Sequence, residues 1–141
     1  MPSKTYARTV RTAATVAAAT GLAVLLAGCG GGEQSYSSLA DLRADLEAGG
    51  VTCAPFAEAD ASELIPGASA GASCLVNEAA AAIFIFEDGD TKEIFMNGAA
   101  EEIKADPEAG QFLTGPNWIF NADSAELIQS AQEALGGEII E

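Results

Sequence analysis

Histidine is absent from this 141-residue chain, and the basic residues are few. Without histidine there is no Ser-His or Cys-His nucleophilic arrangement and no histidine general base, so catalysis would have to depend on a pair of carboxylates. Carboxylates are so common here that no particular pair stands out, and such side chains usually form a solvated surface. We therefore predict that the protein is not an enzyme and uses no cofactor.

The shortage of basic residues excludes a second class of function. Six lysine and arginine residues stand against 21 aspartate and glutamate residues, which gives a formal net charge of −15. Nucleic-acid binding depends on neutralising phosphates with lysine and arginine, so we predict no nucleic-acid partner. Half of the basic residues, Lys4, Arg8 and Arg11, lie at the beginning of the chain. The remainder of the chain is therefore even more acidic than the total indicates.

Those three basic residues precede an apolar stretch over residues 13–27, which ends in the sequence Leu-Ala-Gly-Cys at positions 26–29. This arrangement resembles the lipobox of bacterial lipoproteins. The resemblance implies that Cys29 receives a diacylglyceryl group, that a peptidase cuts just before it, and that residues 1–28 are a signal peptide. It predicts a palmitate-type acyl anchor and a location at the extracytoplasmic face of the cell membrane.

An uncleaved membrane-spanning anchor is the alternative interpretation of the same segment, because residues 12–32 carry no charge. The densely apolar part covers about 15 residues, fewer than the roughly 20 that a bilayer requires. Two acyl chains hold a protein stably at a membrane, so a modified Cys29 would be a sufficient anchor. The lipoprotein interpretation is favoured.

Cleavage before Cys29 would leave 113 residues, enough for one domain with a hydrophobic core. Only Arg43, Lys92 and Lys104 would remain as basic residues against 21 carboxylates, a net charge near −18. Such a field repels an anionic membrane surface within about 8 to 10 Å in ordinary salt. We predict a lipidated flexible tether over residues 29–37, followed by a single extracytoplasmic domain over residues 38–141.

The chain has three cysteines, and the lipobox assigns one of them to the lipid. Cys53 and Cys74 then remain as a pair in an exported, disulfide-permitting compartment. A metal pair or a reactive thiol is the alternative, although the Cys-x-x-Cys spacing of zinc sites is missing. We predict a Cys53–Cys74 disulfide that contributes roughly 3 kcal/mol to stability.

Hydrophobic periodicity and capping residues predict an α+β fold for the domain. We expect a small, mainly antiparallel sheet of about four or five strands packed by three helices and preceded by the signal-peptide helix, with residues 83–86 in the central strand because that run is apolar on both faces. The first two predicted helices cover about residues 39–48 and 91–105. The last predicted helix is capped by residues 123–126 and ends before Gly136. The predicted strands cover residues 51–53, 72–76, 81–86, 111–113 and 117–120, with a hairpin turn at residues 77–78 and an irregular loop over residues 56–71.

Two groups of residues are candidate binding sites. Trp118 is the single tryptophan, and together with Asn117 it follows a Gly-Pro turn that could present it to a sugar or peptide, although burial in the core is the commoner fate of tryptophan. Glu87, Asp88 and Asp90 form the densest oxygen cluster and are a weak candidate for calcium binding. Their alternative role is a strand-to-helix turn in which Asp90 caps the second helix.

The C-terminal part carries a second, more limited resemblance. A Gly-Pro-Asn-Trp turn, an apolar strand and a helix that ends in Leu-Gly-Gly, over residues 115–137, resemble small, mostly uncharacterised actinobacterial lipoproteins. The sequence therefore favours a non-catalytic binding or interaction module on the outer face of the membrane, with an envelope protein or a small ligand as partner. A structural envelope lipoprotein without a discrete ligand is the alternative, and a small carboxylate-dependent hydrolase is a weaker one.

Overall fold

The computed structural model describes residues 34–106 and 111–141. The signal sequence, the lipobox and Cys29 lie outside the described residues, so their predicted roles stay predictions. Within the described ranges no helix is long and apolar enough to cross a membrane. The elements follow one another as α1 (Leu39–Ala48), β1 (Ala57–Ala59), α2 (Ala61–Leu64), β2 (Ala68–Val76), β3 (Ala79–Phe86), α3 (Gly89–Ala105), β4 (Gln111–Thr114), β5 (Trp118–Ala122), α4 (Ala125–Leu135) and β6 (Glu138–Ile140).

The six strands form one sheet in the order β1-β2-β3-β5-β4-β6, and all neighbouring strands are antiparallel. The predicted α+β class is confirmed. Within the described residues the sheet has one strand more than the upper end of the predicted range, because β1 and β6 were not predicted while residues 51–53 form no strand. The unpredicted α2 raises the number of helices in these ranges from three to four. The apolar run at residues 83–86 lies in β3, between β2 and β5, as predicted for a central strand.

Helices cover both faces of the sheet, which explains why β3 is apolar throughout. Its side chains alternate, so that Ile83 and Ile85 join the core under α1 and α4, while Phe84 and Phe86 join a second core under α2 and α3. The first core is the larger and contains Trp118. The three-layer arrangement buries both faces of the central strands.

The β2–β3 hairpin has a two-residue turn at Asn77 and Glu78, where the predicted turn lies. Both residues have positive φ angles, 49° and 72°, which is the type I′ geometry that matches the twist of the two strands. β2 begins at Ala68, earlier than predicted, and pairs with β1 as well as β3. The prediction of an irregular loop over residues 56–71 is therefore wrong, because this stretch contains β1, α2 and the first part of β2.

Val51 and Cys53 before Pro55 are buried, but residues 51–53 do not form a strand, in contrast to the prediction. One backbone hydrogen bond, from Ala54 N to Leu75 O at 2.9 Å, joins this segment to β2, and a single bond does not make a ladder. The Cys53–Cys74 disulfide attaches the segment to β2, with a Cα–Cα distance of 5.3 Å. The covalent link therefore takes the place of strand pairing here.

Helix α3 differs from its prediction at its beginning. Its N-cap is Asp88, whose carboxylate accepts a hydrogen bond from Thr91 N at 2.7 Å, so the prediction that Asp90 caps this helix is wrong. The helix continues through residues 97–98 without a break. An interior glycine costs about 1 kcal/mol, which burial of Met96 and Ile103 on the inner face offsets.

Candidate functional site

The Gly-Pro-Asn-Trp turn connects β4 to β5 and separates the segment before α1 from a groove next to α3. The turn closes with a hydrogen bond from Gly115 N to Trp118 O at 3.1 Å. Gly115 packs so closely on the indole of Trp118 that a Cβ there would lie 2.2 Å from the ring. One side of the turn holds the segment Gln34–Ser37, and the other side forms the wall of a groove.

The side-chain amide of Asn117 binds the backbone of the segment Gln34–Ser37, here called the N-terminal segment of the domain, as a neighbouring strand would. Its Oδ1 accepts a hydrogen bond from Tyr36 N at 3.0 Å, and its Nδ2 donates to Tyr36 O at 2.8 Å. The same amide group also donates to Phe86 O at 3.2 Å, which connects the segment to the end of β3. Both polar atoms of the side chain are therefore used within the domain.

Trp118 is completely buried. Its Nε1 donates a hydrogen bond to Gln34 O at 2.9 Å, and the ring of Tyr36 meets the indole edge to face at a centroid distance of 6.1 Å. A sugar or peptide could stack on this ring only after Gln34 and Tyr36 had been displaced. The structure thus places the tryptophan in the core, where a large aromatic side chain is most often found, and leaves it no open cleft.

Tyr36 fixes the N-terminal segment to α1 as well. Its hydroxyl donates a hydrogen bond to Asp45 Oδ2 at 2.8 Å, and Gln34 Nε2 donates to the same oxygen at 2.9 Å. Burial first, and then the Asp45 carboxylate, raise the pKa of Tyr36 well above its usual value, so the phenol stays protonated and remains a donor. Residues 34–37, predicted as part of the tether, are therefore packed onto the domain.

The Leu-Gly-Gly sequence at the end of α4 packs against the same turn. Gly137 has a φ of 97°, and a Cβ at this position would lie 2.7 Å from Thr114 O and 3.1 Å from the Trp118 ring. Only glycine fits this conformation and this close approach without strain. The two ends of the sequence resemblance, the turn and the Leu-Gly-Gly, are thus parts of one packing unit around the buried indole.

On the opposite side of the turn lies an open groove of about 520 Å³, bounded by α3, residues 114–116 and β6. Its volume falls in the range of ligand sites. Met96 and Ile140 supply apolar surface, while Glu93 and Glu138 are exposed at the groove and line it. The surface is therefore partly apolar and acidic.

Lys92 lines this groove and is the one charged side chain that is buried in the described ranges, with 6% of its surface exposed. Its Nζ donates a hydrogen bond to Gly115 O and lies 3.8 Å from Glu93 Oε1. The ammonium group thus connects α3 to the turn and presents little charge to the solvent. The exposed charges that line the groove are the two carboxylates.

A second depression, of about 660 Å³, lies on the other side of Asn117 and is more open. Its lining includes serine residues of the N-terminal segment and β2, together with the exposed carboxylate of Glu87. The amide of Asn117, which also borders it, is already engaged in internal hydrogen bonds. The groove next to β6 is therefore the better candidate site.

The acidic cluster of Glu87, Asp88 and Asp90 does not form a cation site in the structure. Hydrogen bonds from the backbone and then the side chain of Thr91 lower the pKa of Asp88, whose carboxylate serves as the cap of α3. Across residues 34–106 and 111–141, no three acidic, histidine or cysteine side chains are grouped so that they could hold a metal ion. The weak calcium candidate has no support from this geometry.

The groove was not predicted from the sequence, although one signal for it exists. Lys92 precedes Met96 by four residues, so a lysine falls on the apolar face of α3, where a buried partner is required. No protein-family model, curated protein or solved structure matches this chain. The groove and the lipobox resemblance are therefore the two features that bear on function.

Proposed function

We propose that the protein is a lipid-anchored, extracytoplasmic and non-catalytic binding module whose docking surface is the groove between α3 and β6. The resemblance at residues 26–29 supports the anchor and the location. One observation carries the binding role: the groove combines the outer edge of a sheet with two exposed carboxylates, Glu93 and Glu138. We infer that it receives an extended, basic segment of an envelope protein.

The outer edge of β6 supports an extended partner. β6 pairs with β4 on one side, and on its other side it has no strand neighbour among the described residues. Such an edge offers backbone donors and acceptors to an added strand, while nearby pockets take the side chains. Ile140, which is half-buried, supplies apolar contact surface beside this edge. The groove is therefore shaped for a peptide chain.

The charge of the domain supports a basic partner. The portion after the predicted cleavage site carries three basic residues against 21 acidic ones. Of the three, Lys92 is buried and Arg43 pairs with Glu47 at 2.9 Å. A strongly negative field accelerates encounter with cationic segments, and carboxylates at the contact select them. Binding by this route weakens as salt is added.

Removal of the groove carboxylates should weaken binding of basic peptides. In Glu93→Gln/Glu138→Gln both side chains are exposed, so each lost ion pair is worth up to about 1 kcal/mol and the dissociation constant should rise by about 3- to 30-fold. The measurement is isothermal titration calorimetry of the domain with synthetic extended peptides that alternate lysine and valine, at low and high salt.

Glu101→Gln/Glu102→Gln is the matched control, because it removes the same charge from exposed positions of α3 that do not line the groove. This variant should bind almost as the wild type does. Equal losses in both variants would show that only the general field matters, and no binding by the wild type would favour a structural envelope protein. Hydrolysis of an added peptide or glycan would support the hydrolase alternative.

The anchor makes a separate prediction. Cys29→Ala removes the thiol that would carry the lipid, so the variant should not be labelled with palmitate, should not be cut before position 29 and should keep residues 1–28. Palmitate labelling and the mass of the protein from the native host measure this. An unchanged mass of the variant, together with a wild type that takes up no palmitate, would refute the lipoprotein assignment and favour the uncleaved anchor.

A further inference from the structure

We infer that Gln34–Ser37 is a fixed mount that keeps the groove at the membrane-proximal end of the domain, so that the partner is a basic segment lying close to the membrane surface, such as the stretch that flanks the anchor of another envelope protein. This inference rests on the lipid anchor of the proposed function. It adds an orientation and a class of partner that the groove by itself does not specify.

The mount is held by side chains from distant parts of the chain. Asn117 makes two hydrogen bonds with the backbone of Tyr36, and the indole of Trp118 donates to Gln34 O. Asp45 accepts hydrogen bonds from the side chains of Gln34 and Tyr36. Because α1 and the β4–β5 turn both bind the segment, its orientation relative to the sheet is fixed as long as these hydrogen bonds are intact.

The mount and the groove lie at the same end of the domain. The indole nitrogen that binds Gln34 O is the one against which Gly115 packs, and Gly115 lines the groove. The opposite end carries the β2–β3 turn at residues 77–78. β3, with its eight residues, separates the two ends by roughly 25 Å.

The sequence limits the distance between this end and the lipid. Five peptide units join Cys29 to Gln34, and even a fully extended chain of this length spans at most about 17 Å. A domain of about 100 residues has a radius of gyration near 13 Å and is therefore wider than this gap. An extended segment fits between the groove and the bilayer, whereas a folded domain does not.

The first test is the orientation of the full, lipidated protein in nanodiscs that contain a lipid with a gadolinium-chelate headgroup. Amide signals of Gly89 and Gly115 should be broadened several-fold more strongly than those of Asn77 and Glu78. In Asn117→Ala/Asp45→Ala, which removes the hydrogen bonds that hold Tyr36 from the turn and from α1, this contrast should shrink. Uniform broadening of a disc-bound wild type would overturn the mount and leave the anchor intact, whereas failure to stay with the discs would overturn the anchor itself.

The second test is the partner class. The lysine-valine peptide is compared in two forms, free in solution and acylated. The acylated form is held by a short linker on vesicles that also carry the lipidated protein. An anchored peptide within reach of the groove gains effective concentration, so its apparent affinity should rise by at least about tenfold. The gain should fall in Glu93→Gln/Glu138→Gln and persist in Glu101→Gln/Glu102→Gln. Equal affinity of the free and anchored peptides for the wild type would overturn the inference.

Discussion

Trp118→Ala is expected to lower the free energy of unfolding by about 3 to 5 kcal/mol, the range for removal of a large buried aromatic side chain. The indole has no exposed surface and lies in the larger of the two cores. The loss should be near the upper end of the range, because Gly115 and Gly137 pack directly on the ring and lack the side chains that could fill the cavity. Guanidinium unfolding followed by circular dichroism measures it.

Two control variants separate packing from hydrogen bonding at this position. Trp118→Phe retains an aromatic ring but leaves Gln34 O without its donor, so its loss should be smaller than that of Trp118→Ala. Ile94→Ala, at a position with 76% exposure, should change stability by less than about 0.5 kcal/mol. A loss below about 1 kcal/mol in Trp118→Ala would mean that the indole is not the centre of this core.

Removal of the disulfide is expected to cost about 3 kcal/mol, since the bridge closes a loop with a sequence separation of 21 in the unfolded chain. Cys53→Ala/Cys74→Ala is the suitable variant, because both sulfurs are buried and serine would add buried hydroxyl groups. The segment before Pro55 has one backbone hydrogen bond to β2, so its amides should also exchange faster. Denaturant unfolding and hydrogen exchange measure the two effects.

Wild-type protein treated with a reductant provides the internal control for this variant and should show a similar loss of stability. Hydrogen exchange in the β4–β5 hairpin should increase only as far as global stability falls, because that hairpin has its own ladder and lies outside the closed loop. Labelling of both thiols in the exported, unreduced protein would contradict the bridge. Unchanged stability of the double variant would contradict its energetic role.

The local signals in the sequence determined α1, α4 and the main hairpin. α1 has the predicted bounds because Ser38 caps it, accepting from Asp41 N at 3.2 Å, and leucines repeat on one face. α4 begins after Ser124, which was part of its predicted cap. The turn at residues 77–78 follows from two apolar runs at a two-residue separation. Each of these features depends on neighbours within a few positions, so a single sequence is sufficient.

Features that depend on distant residues were predicted less well. β6 and β1 are three-residue strands with weak patterns of their own, and each exists because a longer strand offers it an edge. Asp88 instead of Asp90 caps α3, and a hydrogen bond from Phe86 N to Asn117 O holds the end of β3 two residues before this cap. The groove follows from β6 and was therefore missed with it.

The sequence by itself determined the acidic charge, the exclusion of histidine chemistry, the α+β class and the cysteine pair. Only the tertiary structure decided the fate of Trp118 and of the segment before α1. In the sequence, Tyr36 has no feature that separates it from the predicted tether. In the fold, Asn117, 81 positions later, supplies a donor and an acceptor for its backbone. Buried polar groups require partners, and which distant residue supplies them depends on how the strands pair and the helices pack.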